Sequence, residues 1–560
     1  MLYYGHKDED DYPLAAWMWG HRLRVGQHWM EYLLEFLNVL AGFDYRLGQG
    51  LDGNEGQTDY LSTYRLFTRL GLRRFVFYDE REKTRHPFDD RARVQLWQTL
   101  REEVLCDLHN DEEALTLVRS LLRAFSAVEE QRSWYAKSLF PAHHNLLFWE
   151  ALRRGATKYR GKHVPDGTPP RMLDEEISFT ERNFFARGGE VYYLILSAST
   201  ENAPERRAFI AGRLQTLLND HNQALGVLAE VIDQTWSNLR GDDGSEEPGG
   251  TLGWIPDPAC PLYACIAEDV ATFLQHDLDP LESLDLLAHL VGLHLVQYIY
   301  HRAHPEAGPE RHASSQCLDA CRPSLLVDAL DGQSGGVIHN LSAALFREQE
   351  CRQVQKGVAY VQGQVATWVT EMSGDPNWAE NLIARAETFF GVGRLHSRTR
   401  QPYQRQADRL MTRWTSGELD VTGFVEAYAA ILSDLLMGDF HKNFLGVHRK
   451  LAKSVGLVSP RKGPGGRFVL GDNLLKTLVL ANLLPGAQMT FGDFLERLYE
   501  RYGFIVGPGE ARVSGLFDRQ RINAEYYDRN RAALLEKMKH AGLVVEYSDA
   551  TALVVSDRVA

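Results

Sequence analysis

The chain has 560 residues, 44% hydrophobic and 24% charged, which is enough for three or four domains and too apolar for global disorder. Its net charge of −14 disfavours non-specific coating of DNA or of an anionic membrane, but leaves room for a basic patch focused on one face. Six cysteines are too few for a disulfide scaffold, so a reducing cytoplasm is expected.

The first residues, MLYYGHKDEDDY, are acidic and lack the basic-then-apolar order of a secretory signal. No apolar stretch reaches the roughly 18 residues of a membrane span, and no membrane partner is expected. Residues 1–237 are predicted to form a mainly helical domain. PLAAWMWGHRLRVGQHWMEYLLEFLNVLAG has the aromatic spacing of one or two packed helices ended by Gly42. EVYYLILSAS, 190–199, is the best strand candidate, since β-branched and aromatic residues follow Gly188 and Gly189. NLRGDDGSEEPGG, 238–250, is acidic and glycine-rich and reads as a linker. A central helical domain, 251–420, follows, with a strongly apolar helix at about 281–303.

Two modules complete the chain. In 421–485, helices at 421–439 and 441–455 precede a hairpin-like LVSP-RKGPGG-RFVL and a further apolar helix. In 486–560, Thr490 and Asp493 have capping-box spacing, so FGDFLERLYERYG is predicted helical. Ala524–Ala541 is helical, with Tyr527, Leu534, Leu535, Met538 and Ala541 on one face, and Gly542 ends it. LVVEY and TALVV then form a hairpin. Helix, helix, two-stranded wing is the winged-helix order. The fold class is therefore mainly α: a multidomain helical protein with minor β content and C-terminal winged-helix-like modules.

Residues 441–470 carry seven basic residues and no acid: Lys442, Arg449, Lys450, Lys453, Arg461, Lys462 and Arg467. Lys442, Arg449 and Lys453 project to nearly the same helical face. Arg461, Lys462 and Arg467 flank a turn whose glycines would let the backbone approach a phosphate chain. These cations are the candidate nucleic-acid-binding residues, and contact through phosphates would be salt-dependent and weakly sequence-selective. The alternative is a basic surface docking on an acidic partner or on the acidic body of this chain. The last helix mixes Arg519, Arg521, Arg529, Arg531, Lys537 and Lys539 with Asp518, Glu525, Asp528 and Glu536, and its hairpin tip is not basic. That mixture fits protein docking better.

Other motifs point less clearly to chemistry. Cys260-x4-Cys265 and Cys317-x3-Cys321 could supply four thiolates to zinc, although core packing is the simpler reading. His289, His294, His301, His304 and His312 are dense but lack an HExxH arrangement. Glu190 would sit at a strand start, where nucleases place acids. GQGLDG matches a dinucleotide pattern only literally, since no strand precedes it. No P-loop or GxSxG elbow is present, and no cofactor is expected.

In overall makeup, and over residues 420–560 in particular, the chain resembles non-catalytic accessory subunits of bacterial multi-gene restriction or antiphage defence systems. That resemblance implies assembly with a motor ATPase or nuclease subunit. The expected function is a DNA-binding adaptor or scaffold. The alternatives are a metal-dependent nuclease with dispersed acids and a purely protein-binding scaffold.

Overall fold

The structure, a computed structural model, describes residues 29–49, 188–219, 260–304, 322–330, 336–460, 465–547 and 551–556, with short stretches at 63–65, 68–70, 149–153, 177–178 and 249–252 and isolated residues beside them. The protein is mainly α-helical with few, short strands. Helix α1 spans Trp29–Gly42. Strands β1 (Thr63–Arg65), β2 (Thr68–Leu70), β3 (Trp149–Arg153) and β4 (Ile177–Ser178) follow. The predicted strand at 190–199 is instead helix α2, Gly188–Ser199, and it is buried along almost its whole length. A ten-residue apolar run does not separate a buried strand from a buried helix, and here burial overrides β propensity. Gly188 and Gly189 seat α2 on α1: a Cβ at Gly189 would lie 2.4 Å from the Phe36 backbone nitrogen.

Helix α3 is Pro204–Asn219, and β5 (Gly249–Thr251) pairs antiparallel with β1. Of the predicted linker, 238–248 lie outside the described residues, whereas Gly249 and Gly250 are paired in β5. Helix α4 is Pro261–Phe273, and α5 is Pro280–Ala303, close to its predicted limits. Asp279 caps α5 by accepting from Leu281 N at 3.0 Å, and Pro280 occupies its first turn. α5 is buried on nearly every face and packs on α1, the later helices and the basic hairpin region, so it forms the axis of the core.

A buried polar chain ties this core together. Tyr192 of α2 meets His294 Nδ1 at 2.9 Å, and His294 Nε2 meets Asp269 Oδ2 at 3.0 Å. Asp269 also accepts from Tyr502 Oη at 2.8 Å and pairs with Arg501. Tyr502 Oη in turn accepts from Asn482 Nδ2 at 2.9 Å. Five helices are thus joined through one connected set of buried polar groups, which makes the packing specific as well as tight.

Strand β6 (Leu325–Leu326) precedes the 35-residue helix α6, Val337–Glu371, roughly 52 Å long at 1.5 Å per residue. Helices α7 (Trp378–Phe389), α8 (Ser397–Thr415) and α9 (Val421–Asp439) pack with α6 as a bundle. Trp378, Trp414 and Phe424 meet edge-on with centroids 5.1–5.4 Å apart, and Tyr403 Oη lies 2.9 Å from Tyr428 Oη. Helix α9, which follows the predicted boundary at 420/421, packs on α6 and α8, which precede it. A π-helical turn, Phe440–Leu445, joins α9 to α10, Gly446–Ser454. The run Val421–Ser454 is long and apolar enough by composition to cross a membrane, yet α9 turns Phe424, Tyr428 and Leu432 into the bundle.

Strands β7 (Val458–Ser459) and β8 (Arg467–Phe468) form the expected antiparallel hairpin. The remaining elements are α11 (Asp472–Asn482), β9 (Gln488–Thr490), α12 (Phe491–Tyr502), β10 (Phe504–Ile505), α13 (Pro508–Val513), α14 (Leu516–Gln520), α15 (Ala524–His540), β11 (Val544–Glu546) and β12 (Ala552–Val555). Thr490 Oγ1 accepts from Asp493 N at 3.1 Å, the N-cap bond its spacing predicted. α15 ends at Gly542, φ +70°, and buries Tyr527, Leu534 and Met538, with Leu535 half-buried and Ala541 exposed. β12 lies between β11 and β9. β10 pairs parallel with β6, and buried Asn530 of α15 donates to Val327 O at 2.8 Å and to Val506 O at 2.9 Å. The segment 322–330 is therefore tied to β10 and α15.

His448 gives the core an acid-sensitive point. It is fully buried, stacks on Phe346 at 5.1 Å and places Nε2 2.7 Å from Tyr300 Oη. Burial, then the charges of Arg449 and Lys453, push its pKa down to about 3. The folded state binds this proton less readily than the unfolded chain, so stability is lost as pH falls from about 6.5 towards 3. Between pH 7 and 5.5 the loss from this one group is about 1 kcal/mol. Urea titrations at both pH values should show wild type losing that much more than His448→Gln; equal losses would contradict the assignment.

Candidate nucleic-acid interface

The seven basic residues at 442–467 do not form one outward surface. Arg449 of α10 donates through Nε to Glu350 of α6. Lys453 is buried and places Nζ 2.9 Å from Gly465 O, across the hairpin. Arg467 Nε lies 2.7 Å from Asp328 Oδ2, whose side chain is 2% exposed. Asp328 also accepts from Leu330 N and stands 3.4 Å from His339 Nδ1. These three cations hold the hairpin to α6 and to the β6 segment. Lys450 is half-buried and Lys442 is exposed. Arg461 and Lys462 lie outside the described residues. The glycines differ too: a Cβ at Gly466 would lie 2.6 Å from the Phe346 ring, so this residue serves close packing. A charge run in the sequence does not disclose Glu350 and Asp328, which lie 99 and 139 positions from the arginines they pair with.

In the last 90 residues, several cations are also engaged locally. Lys537 donates to Leu470 O at 2.7 Å and lies 3.4 Å from Asp472. Lys539 sits between Glu536 and Glu546. Arg531 stands 5.8 Å above the Phe491 ring, and Arg512 5.4 Å above Phe517. Arg519 donates to the carbonyls of Ser514 and Gly515, and Arg529 pairs with Glu525 on the exposed face of α15. Arg512, Arg519, Arg521 and Arg529 are exposed, interspersed with Asp518, Glu525 and Asp528. Val513 and Tyr526 are exposed beside them.

A cleft of about 740 Å³ opens between α5, α11 and α15. Its charges pair with one another: Lys476 with Glu282, Lys537 with Asp472, and Asn473 Nδ2 with Asp285 at 3.3 Å. Burial raises the Asp285 carboxyl above its usual range, and His289 opposes that shift. The cleft has no convergent set of one sign.

The remaining sequence candidates are dispersed. Cys260 is buried with Sγ 3.0 Å from His301 Nε2, and Cys265 is half-buried. Cys317, Cys321, Cys106 and His312 lie outside the described residues, as does most of GQGLDG. His289 packs on Trp29 at 4.3 Å, His294 belongs to the buried chain, and His304 caps α5. Glu190 lies in the first turn of helix α2, not at a strand start, and accepts from Tyr64 Oη at 2.7 Å. Among the described residues, no three His, Cys, Asp or Glu side chains converge as a metal site. No protein-family model matches the chain, and comparison with curated proteins finds no match.

Proposed function

We propose that the protein is a DNA-binding adaptor or scaffold subunit of a bacterial complex, in antiphage defence, whose C-terminal winged-helix module engages DNA phosphates. The observation that carries this reading is the arrangement of 472–556. Helix α11, strand β9, helix α12, helix α15 and hairpin β11–β12 follow in that order, and β9 adds to the free side of β12. In winged helices this arrangement presents the last helix and the wing to a duplex. The short helices α13 and α14 bring Arg512, Arg519 and Arg521 beside the start of α15, where Arg529 is also exposed. In the basic segment, Lys442 of the π-helical turn is exposed, and Arg461 and Lys462 stay candidates from the sequence. An ATPase or nuclease subunit would supply energy and bond cleavage. Such a role rests on fold-level analogy.

The test is a fluorescence-anisotropy titration of a labelled duplex at two salt concentrations, with an Arg519→Gln/Arg521→Gln/Arg529→Gln variant. Three lost phosphate contacts should weaken binding and lower the salt slope by roughly 2 to 3. An unchanged slope would move the DNA surface elsewhere. A second reading, a protein-docking module, is favoured by the mixed signs on α15. It expects no duplex binding by wild type even at low salt.

A further inference from the structure

Helix α8 carries a strongly basic exposed face. Residues 394–413 contain six arginines and a single acid, Asp408, in a chain of net charge −14. Arg398, Arg405, Arg409 and Arg413 are spaced by seven, four and four residues. At 100° per residue they fall within a sector of about 80°, and at 1.5 Å per residue they extend over roughly 22 Å. All four are exposed. Arg398 and Arg409 make no ion pair among the described residues. Arg405 reaches only the Gln401 carbonyl, and Arg413 lies 3.4 Å from the exposed Glu418. Pairs as exposed as the last are weak.

The orientation of this face is set from behind. Tyr403, Ala407 and Leu410 are buried, and Trp414 packs into the Trp378–Phe424 cluster. Rotating the arginines inward would expose that face. The stripe therefore stands in fixed register, unlike the cations at 449, 453 and 467, whose charges are spent on the fold.

We infer that this arginine stripe is a docking surface for the phosphate backbone of duplex DNA. The inference deepens the DNA-binding reading and rests on it. Protein interfaces centre on apolar, commonly aromatic, anchors, whereas interfaces with DNA are polar and strongly positive. Gln401, Pro402 and Thr412 lie between the arginines, and α8 exposes no large apolar side chain. Single-strand recognition needs aromatic platforms for the bases, which this face lacks. Insertion into an anionic membrane needs an exposed apolar side, which is here turned into the bundle. Guanidinium groups hydrogen-bond phosphate oxygens in bidentate fashion, and the glutamine and threonine side chains can donate between them.

The experiment uses the full chain and a fluorescein-labelled duplex of about 30 base pairs, with the matched single strand, polyglutamate and phosphatidylserine vesicles as further arms. An Arg398→Gln/Arg405→Gln/Arg409→Gln/Arg413→Gln variant is compared with wild type and with the Arg519/Arg521/Arg529 variant. Circular dichroism and thermal midpoints confirm that each is folded; glutamine keeps helix propensity. The stripe variant should lose duplex affinity at least tenfold, and its salt slope should fall by roughly 3 to 4. Loss in the stripe variant with normal binding by the C-terminal variant would retain the stripe and move the DNA surface away from the C-terminal module. Unchanged binding by the stripe variant, with loss in the C-terminal variant, would overturn the stripe and leave the module reading standing. Preference of wild type for polyglutamate or for vesicles, lost in the stripe variant, would overturn duplex DNA as the occupant. Absence of duplex binding by wild type would overturn both.

Discussion

Asp269→Ala should destabilise the protein by about 3–5 kcal/mol in urea denaturation. Asp269 is 1% exposed and accepts from Tyr502, His294 and Arg501. Its removal leaves the Arg501 guanidinium, 17% exposed, without its buried counter-charge. Glu268, 3.3 Å from Arg501 but 45% exposed, can compensate only in part. His294 and Tyr502 also lose an acceptor, and an unsatisfied buried donor costs about 1–3 kcal/mol. Because the chain runs from α2 to α12, the damage should reach the whole core rather than one loop. Replacing Arg501 by Met in the same chain should recover part of the loss, since the uncompensated charge disappears. A loss below about 1 kcal/mol for Asp269→Ala would mean that the chain is a by-product of packing.

Asp328→Ala should cost about 3–4 kcal/mol, and Arg467→Gln a comparable amount, because each strands a partly desolvated charge opposite it. Asp328 holds Arg467 at 2.7 Å, and its backbone N donates to Phe468 O at 2.8 Å. The pair therefore joins strand β8 to the segment that also pairs with β10. Arg467→Gln should lower the urea midpoint and leave the salt slope of DNA binding at the wild-type value. A phosphate ligand would behave oppositely: little change in stability and a slope reduced by about 0.9. The two measurements on one variant separate a structural arginine from a binding one.

Much of the helical framework was legible from periodicity and caps. The limits of α5 and α9, the Thr490 cap, the Gly542 stop and both C-terminal hairpins follow from apolar spacing and turn residues. Segment 190–199 differs from its expectation because Val, Tyr and Ile favour strand locally, whereas helices α1, α4 and α5 pack on the residues. The contacts that join 322–330 to β10 and α15 were not legible, because they are long-range. The candidate site was legible in charge but not in direction. Counting cations located 442–467, whereas burial and the carboxylates of Glu350 and Asp328 decide which of them face water. The α8 stripe is hidden in the sequence for the converse reason: its arginines are spread at helical spacing, so they form a surface only once the buried face through Tyr403 and Leu410 is known.

The central claim is duplex binding through phosphates by surfaces that the fold holds outward. The most direct measurement is the anisotropy titration of wild-type protein with labelled duplex across a series of salt concentrations. The account predicts binding at low salt whose logarithm falls linearly with log salt, with a slope of magnitude near 4 or more. Absence of binding at low salt, or binding indifferent to salt, would contradict it and leave a protein-docking scaffold in its place.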